Sequence, residues 1–251
     1  TEEDIERERR EGMDESMIQQ EYYASFDVAI VGAYFADELI AARSQGRIGR
    51  FPVEPNIPVY SYWDLGYDDS TTLWLVQPVG RELNHVGYYS NNREPLEHYY
   101  NWLNDWRNSH NARLATAVLP HDGAAKNRQT GKSDAELLEG WGLKVETVDR
   151  PQDKFRDSIQ AARQVFYRCN FDERECELGL DCLANYRSAP VDDEEPDPKR
   201  RAFKNHPVHD WSSHGADSFM VSATWHQAQP IEQPSVEALV AELTRPHAGL
   251  Y

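Results

Sequence analysis

Three aspartates stand where a carboxylate is costly unless it does chemistry. Asp64 closes Tyr60-Ser61-Tyr62-Trp63-Asp64-Leu65-Gly66, a run of strand-type side chains followed by a glycine. Asp122 follows Ala115-Thr116-Ala117-Val118-Leu119, an apolar run of the kind found in a central parallel strand, and Gly123 stands directly behind it. Asp217 lies in Ser213-His214-Gly215-Ala216-Asp217-Ser218-Phe219, near the start of a late helix. An isolated ionised acid at the end of a buried strand is expensive and normally pairs with a cation or binds a metal. For the first stretch alone the alternative is an ordinary Asp-Gly turn with a solvated acid. Two acids in the same strand-end context carry more information than one.

The elements that must position these residues follow in order. Val59 to Asp64 and Leu73 to Pro78 read as a hairpin, and Leu83 to Tyr89 as a third strand. Pro95 opens a helix with Leu96, Tyr99, Tyr100, Leu103 and Trp106 at helical spacing. The Ala115 to Leu119 strand comes next, then a polar loop carrying Lys126, Arg128 and Lys132. Ser133 and Glu136 form a capping-box start for a helix ended by Gly140 and Gly142. Leu143 to Val148 is a further strand, and Asp153 to Cys169 and Asp172 to Tyr186 read as two amphipathic helices. Between Ser188 and Pro207 acids and prolines give way to Lys199-Arg200-Arg201 and Lys204, which predicts an exposed hairpin or loop.

This order predicts an α/β fold, a ribonuclease H-like mixed central sheet flanked by helices, in which the Asp64 strand and the Asp122 strand are neighbours. Three acids converging from 58 and 95 residues apart repel one another unless a divalent cation sits among them. Oxygen ligands without a Cys or His spacing point to Mg²⁺ or Mn²⁺ rather than zinc. Two such ions about 4 Å apart activate water and stabilise the leaving oxygen of a phosphodiester.

Composition sets the frame. The chain has 251 residues, 39% of them hydrophobic, with seven Trp and thirteen Tyr, which argues for a folded core. It has no apolar run of about 18 residues to span a membrane. It opens on Thr1 with no secretory signal, which suggests a processed or excised fragment. Cys169, Cys176 and Cys182, in a segment of helical character, lack zinc spacing and read as buried reduced thiols. The net charge of −17 is adverse for a lone phosphate binder, so any nucleic acid must be met with help from metal ions and another domain.

Tyr62-Trp63-Asp64-Leu65-Gly66 with Asp68-Asp69-Ser70-Thr71-Thr72, then Leu119-Pro120-His121-Asp122-Gly123, then Ser213-His214-Gly215-Ala216-Asp217-Ser218-Phe219 resemble the three acidic motifs of the nuclease domain of a tailed-bacteriophage terminase large subunit. The resemblance covers about Pro58 to Ala223. The aromatic stretch Glu21 to Gly46 is similar to the segment joining that family's ATPase domain to its nuclease. No Gly-rich loop ending in Gly-Lys-Ser or Gly-Lys-Thr is present, so the chain resembles the nuclease portion alone. The expected division is 1–57 as leader and linker from an ATPase domain, 58–226 as nuclease and 227–251 as tail.

The resemblance implies catalytic metal ligation by Asp64, Asp122 and Asp217, with Asp64 shared between two Mg²⁺ or Mn²⁺ ions. Asp68, Asp69 and Asp210 stand as outer or alternative ligands, or as solvated turn acids. His121, His209 and His214 read as structural or phosphate-contacting groups. Lys126, Arg128, Lys132, Lys199, Arg200, Arg201 and Lys204 are candidate DNA contacts or plain solubility charge. The implied activity is cleavage of double-stranded viral DNA concatemers during packaging in the host cytoplasm. The implied partners are the ATPase domain, the small terminase subunit and the portal. Two other readings stay open: a resolvase- or transposase-like nuclease, against which the Ser-His-Gly-Ala-Asp motif argues, and a non-catalytic docking domain of the motor.

Overall fold

The computed structural model describes residues 32–66, 69–128, 131–149, 152–191 and 202–228. In chain order these form α1 (Ala36–Ser44), β1 (Ile48–Gly49), β2 (Val59–Asp64), β3 (Ser70–Val79), β4 (Glu82–Asn92), α2 (Leu96–Ser109) and β5 (Leu114–Leu119). A 3₁₀ turn (His121–Ala124), α3 (Asp134–Gly140), β6 (Lys144–Thr147), α4 (Lys154–Phe166), β7 (Cys169–Asp172), α5 (Glu177–Asn185), β8 (Ser188–Pro190), β9 (Phe203–Pro207) and α6 (Trp211–Ala228) follow.

Seven strands make one sheet in the order β1-β7-β4-β3-β2-β5-β6. β3 pairs antiparallel with both neighbours and every other pairing is parallel, so the remaining six strands share one direction. Their carboxyl ends therefore lie along a single edge, where open α/β sheets place their ligands. Strand alternation splits the apolar side chains between two faces. Tyr62, Trp74, Val76, Leu83 and Val118 meet Phe166, Leu180, Phe219 and Met220 from α4, α5 and α6. Val59, Trp63, Leu73, Leu75, Ala117 and Leu119 meet Tyr99, Leu103, Trp106 and Leu138 from α2 and α3. Asp64 is two residues beyond Tyr62 and so belongs to the α6 face.

Three places differ from the sequence reading. Cys169 to Asp172, expected only as the junction between two helices, is a fully buried strand between β4 and β1, and it separates α4 from α5. Its pairing partners are Leu83–His85 and Ile48–Gly49, some 85 and 120 residues away, so no local pattern announces it. The cysteines accordingly lie on β7, before α5 and within α5; all three are free and buried, as expected. The stretch expected as linker up to residue 57 is not separate from the sheet: Phe35, Leu39, Ala42 and Ile48 belong to the α6-face core and β1 pairs with β7. Residues 1–31 and 229–251, most of the expected leader and tail, lie outside the described residues. The expected hairpin is present as β8 against β9, while its connecting residues 192–201 lie outside the described residues.

Candidate metal-binding active site

Asp64 is the last residue of β2 and points toward α6. Tyr62 pairs with Val118 in the parallel neighbour β5, so Asp122 comes just past the end of the adjacent strand. The two strand ends touch directly behind the acids: a Cβ on Gly123 would lie 3.4 Å from Leu65 Cδ1 and 2.8 Å from Leu119 Cβ. A side chain at 123 would run into Leu119 and push the Asp122 turn away from the end of β5, so glycine fits best. Pro120 leads into the turn, whose backbone closes through Gly123 N–H to Pro120 O at 3.0 Å and Ala125 N–H to Asp122 O at 2.8 Å. The turn behind Asp64 is clipped by Thr71, which accepts from Gly66 N–H at 3.1 Å and donates to Gly66 O at 2.6 Å.

α6 delivers the third group. Trp74 Nε1 donates to Gly215 O at 2.8 Å, Thr72 Oγ1 donates to His214 O at 2.9 Å, and Tyr62 OH meets His226 Nε2 at 2.8 Å. These buried bonds fasten the helix to β2 and β3, a placement that hydrophobic packing alone would leave free to slide. His214 Nδ1 then lies 3.2 Å from Asp64 Oδ2, in a pair whose side chains are 12% and 19% exposed. Asp217, half-buried, is three residues further along the same helix face. The hydrogen bond to Asp64 raises the His214 pKa against the effect of burial, and the charges of Asp64, Asp69 and Asp217 raise it further. Three carboxylates thus act on one imidazole. On the far side Asp134 is held above its ordinary value by burial and then by the charge of Asp122.

The remaining expected residues separate. Asp210 caps α6, accepting from Ser212 N–H at 3.0 Å and Ser212 Oγ at 2.6 Å, and pairs with Arg187 at 2.9 Å. His121 is exposed on the Asp122 turn, and Asp68 lies outside the described residues. Asp69, His209 and His214 gather instead, with one ligand atom of each within 4.8 Å of the others. No other such group of three occurs among the described residues, so the oxygens of Asp64, Asp122 and Asp217 are more widely spaced. Lys126, paired with Glu136 at 3.4 Å, and exposed Arg128 and Lys132 sit on the loop leaving the Asp122 turn. Lys204 is exposed on β9, and Lys199, Arg200 and Arg201 lie outside the described residues.

Sequence reasoning missed Tyr186. It packs against Phe35 and Tyr34 at the end of α5, and its buried hydroxyl has no hydrogen-bond partner among the described residues. Burial first, then the charge of Asp217, raises its pKa far above the ordinary phenol value, with Tyr34 and Asp64 adding to the rise. In sequence it looks like any core aromatic. Asp172 is the opposite case, a buried carboxylate at the end of β7 that accepts from the N–H groups of Phe51, Arg174 and Glu175 and is accounted for by structure alone.

The chain matches no family model and no curated protein. Among solved structures it is similar to the large terminase of the thermophilic bacteriophage D6E in complex with ATP-γ-S. The identity is 17% and the TM-score 0.56, over 89% of this chain and 52% of that one. It is also similar to the P22 large terminase nuclease domain, at 12% identity and TM-score 0.50 over 71% of this chain and 86% of that one. The chain therefore spans about half the length of the D6E protein. At these identities the likeness is one of fold: a ribonuclease H-like α/β domain built as in terminase nucleases.

Proposed function

We propose that this chain is the nuclease portion of a bacteriophage DNA-packaging terminase and cleaves double-stranded DNA concatemers by metal-dependent phosphodiester hydrolysis. What supports the reading is the placement of Asp64 and Asp122 at the carboxyl ends of two adjacent parallel strands, with Asp217 on the helix fastened to β3 beside them. The donor chemistry fits Mg²⁺ or Mn²⁺: hard carboxylate oxygens, at a place where Asp64, Asp69 and Asp217 raise the pKa of His214. Bound there, two ions would generate hydroxide from water and stabilise the leaving oxygen. Asp64, Asp122 and Asp217 are the ligands, Asp64 being shared. His214 orients Asp64 through its Nδ1–H, and Tyr186 offers beside Asp217 a hydroxyl that has no partner among the described residues. Lys126, Arg128 and Lys132 hold backbone phosphates on the Asp122 side. The whole motor supplies an ATPase domain, small subunit and portal, in the cytoplasm of the host.

The net charge of −17 supports a second reading, a non-catalytic domain that docks on another motor component. Supercoiled plasmid incubated with Mn²⁺ or Mg²⁺ separates the two. Nicked and linear products that vanish with chelator and with Asp122→Asn support the nuclease. Intact plasmid at every metal concentration refutes it and leaves docking.

A further inference from the structure

Beside the three acids, Asp69 from the β2–β3 turn, His209 from the loop before α6 and His214 from its first turn bring one ligand atom each within 4.8 Å of the others. The two rings meet edge to face with centroids 5.3 Å apart, and His209 Nε2 lies 3.8 Å from Asp69 Oδ2. The hydrogen bonds around them decide which nitrogen of each ring is left for a metal. Ser213 Oγ has one hydrogen and donates it to Asp210 O at 2.7 Å, so at 3.1 Å from His209 Nδ1 it acts as the acceptor. His209 therefore carries a hydrogen on Nδ1, and Nε2 is the nitrogen left facing Asp69 Oδ2. The Asp64 carboxylate can only accept, so it takes the Nδ1–H of His214 and leaves Nε2 as the nitrogen that can give up its proton to a metal. An imidazole whose distal N–H is held by a carboxylate or another oxygen acceptor is the usual arrangement of a metal-ligating histidine.

We infer that Nε2 of His209, Nε2 of His214 and a carboxylate oxygen of Asp69 form a second cation site, selective for a borderline transition ion of the Zn²⁺, Co²⁺ or Ni²⁺ class over Mg²⁺. Two imidazoles and one carboxylate match the donor preferences of those ions, whereas Mg²⁺ favours oxygen ligands and retains its water. With bonds of about 2.1 Å, ligand atoms of a tetrahedral ion stand roughly 3.4 Å apart, so the 3.8 Å pair needs to close by a few tenths of an ångström and the other pairs, which lie within 4.8 Å, by up to about 1.4 Å. Asp69 and His209 are exposed, with side-chain exposures of 63% and 72%, which leaves them free to do so. An ion bound there ties the turn after β2 to the start of α6, and through His214 it fixes the orientation of Asp64. The inference stands on these hydrogen bonds and is independent of whether the chain cuts DNA.

The test is calorimetric titration of ZnCl₂ into the protein in excess Mg²⁺ without DNA, for wild type, His209→Ala and Asp122→Asn. The expected result is one zinc bound by wild type and by Asp122→Asn, with affinity at least about tenfold weaker in His209→Ala. Wild-type affinity in His209→Ala overturns the inference, and so does loss of the site in Asp122→Asn, which would put the ion among the three acids. If His209→Ala does not fold, Asp69→Asn replaces it with the same expectation. Co²⁺ is the second probe: wild type gives the intense visible absorption of a four-coordinate ion, and the pale spectrum of an octahedral ion also overturns it.

Discussion

Replacing Gly215 with alanine should destabilise the protein and loosen the active site together. A Cβ at 215 would stand 2.6 Å from Cys182 Cβ, 2.7 Å from Cys182 Sγ and 2.8 Å from the Tyr88 hydroxyl oxygen. Carbon atoms in contact prefer about 3.5 to 4.0 Å, so α5 and α6 must separate locally by roughly 1 Å. The Cys182 Cβ is fixed to its backbone and no rotamer moves it aside. Overpacking of this kind costs about 1–3 kcal/mol, which in a chain of this size lowers the melting temperature by roughly 3–10 °C. The same displacement pulls on Gly215 O and His214 O, the acceptors for Trp74 and Thr72, and so moves His214 and Asp217 relative to Asp64. Differential scanning calorimetry and metal-dependent plasmid cleavage measure both effects. Gly140→Ala is the control: nothing lies within 4 Å of its added Cβ at the end of α3, so it should be neutral or stabilising by about 0.5 kcal/mol. Cys182→Ala removes the Sγ contact but keeps the 2.6 Å Cβ contact and should rescue Gly215→Ala less than Cys182→Gly, which removes both. A Gly215→Ala protein melting within about 1 °C of wild type would refute the close-packing argument.

Three more outcomes are expected. Asp64→Asn and Asp122→Asn should reduce cleavage to background, and in metal-free buffer Asp122→Asn should melt at or above the wild-type temperature, because it removes repulsion with Asp134; a large loss of stability would mark Asp122 as structural. Burial pushes His85 down to about 4 and His226 down to about 3, so the unfolded chain, titrating near 6.5, binds more protons in acid. Stability contributed by the neutral rings is full above about pH 6.5 and falls below it, by roughly 2 kcal/mol per ring at pH 5. Urea midpoints from pH 8 to pH 5 should therefore decline less in His226→Gln than in wild type, and identical slopes would disprove the effect. Ala at Lys126, Arg128 and Lys132 together should weaken duplex binding in Ca²⁺ and reduce its log–log salt slope by roughly 2 to 3, and an unchanged slope would remove that loop from the DNA path.

Much of this architecture was legible locally. Alternating and apolar runs marked β2 to β6, the Ser133–Glu136 capping box is present with both of its bonds, and the order of elements predicted the Asp64 and Asp122 strands as neighbours, which they are. Those signals are local because strand alternation, helix caps and turn glycines are properties of neighbouring residues. What tertiary structure alone decided is every feature that joins distant segments. β7 is four residues long and exists because β4 and β1 pair with it, and the 35–49 stretch joins the core because Phe35 finds Phe166, Tyr186 and Phe219. The division of labour among the acids and histidines near 210 has the same origin. Asp210 becomes a helix cap because Arg187 and Ser212 reach it, and His214 becomes the partner of Asp64 because Trp74 and Thr72 hold α6 in one register. Residue type makes each side chain a possible ligand; only the fixed crossing of α6 over β2 and β3 decides which ones come together.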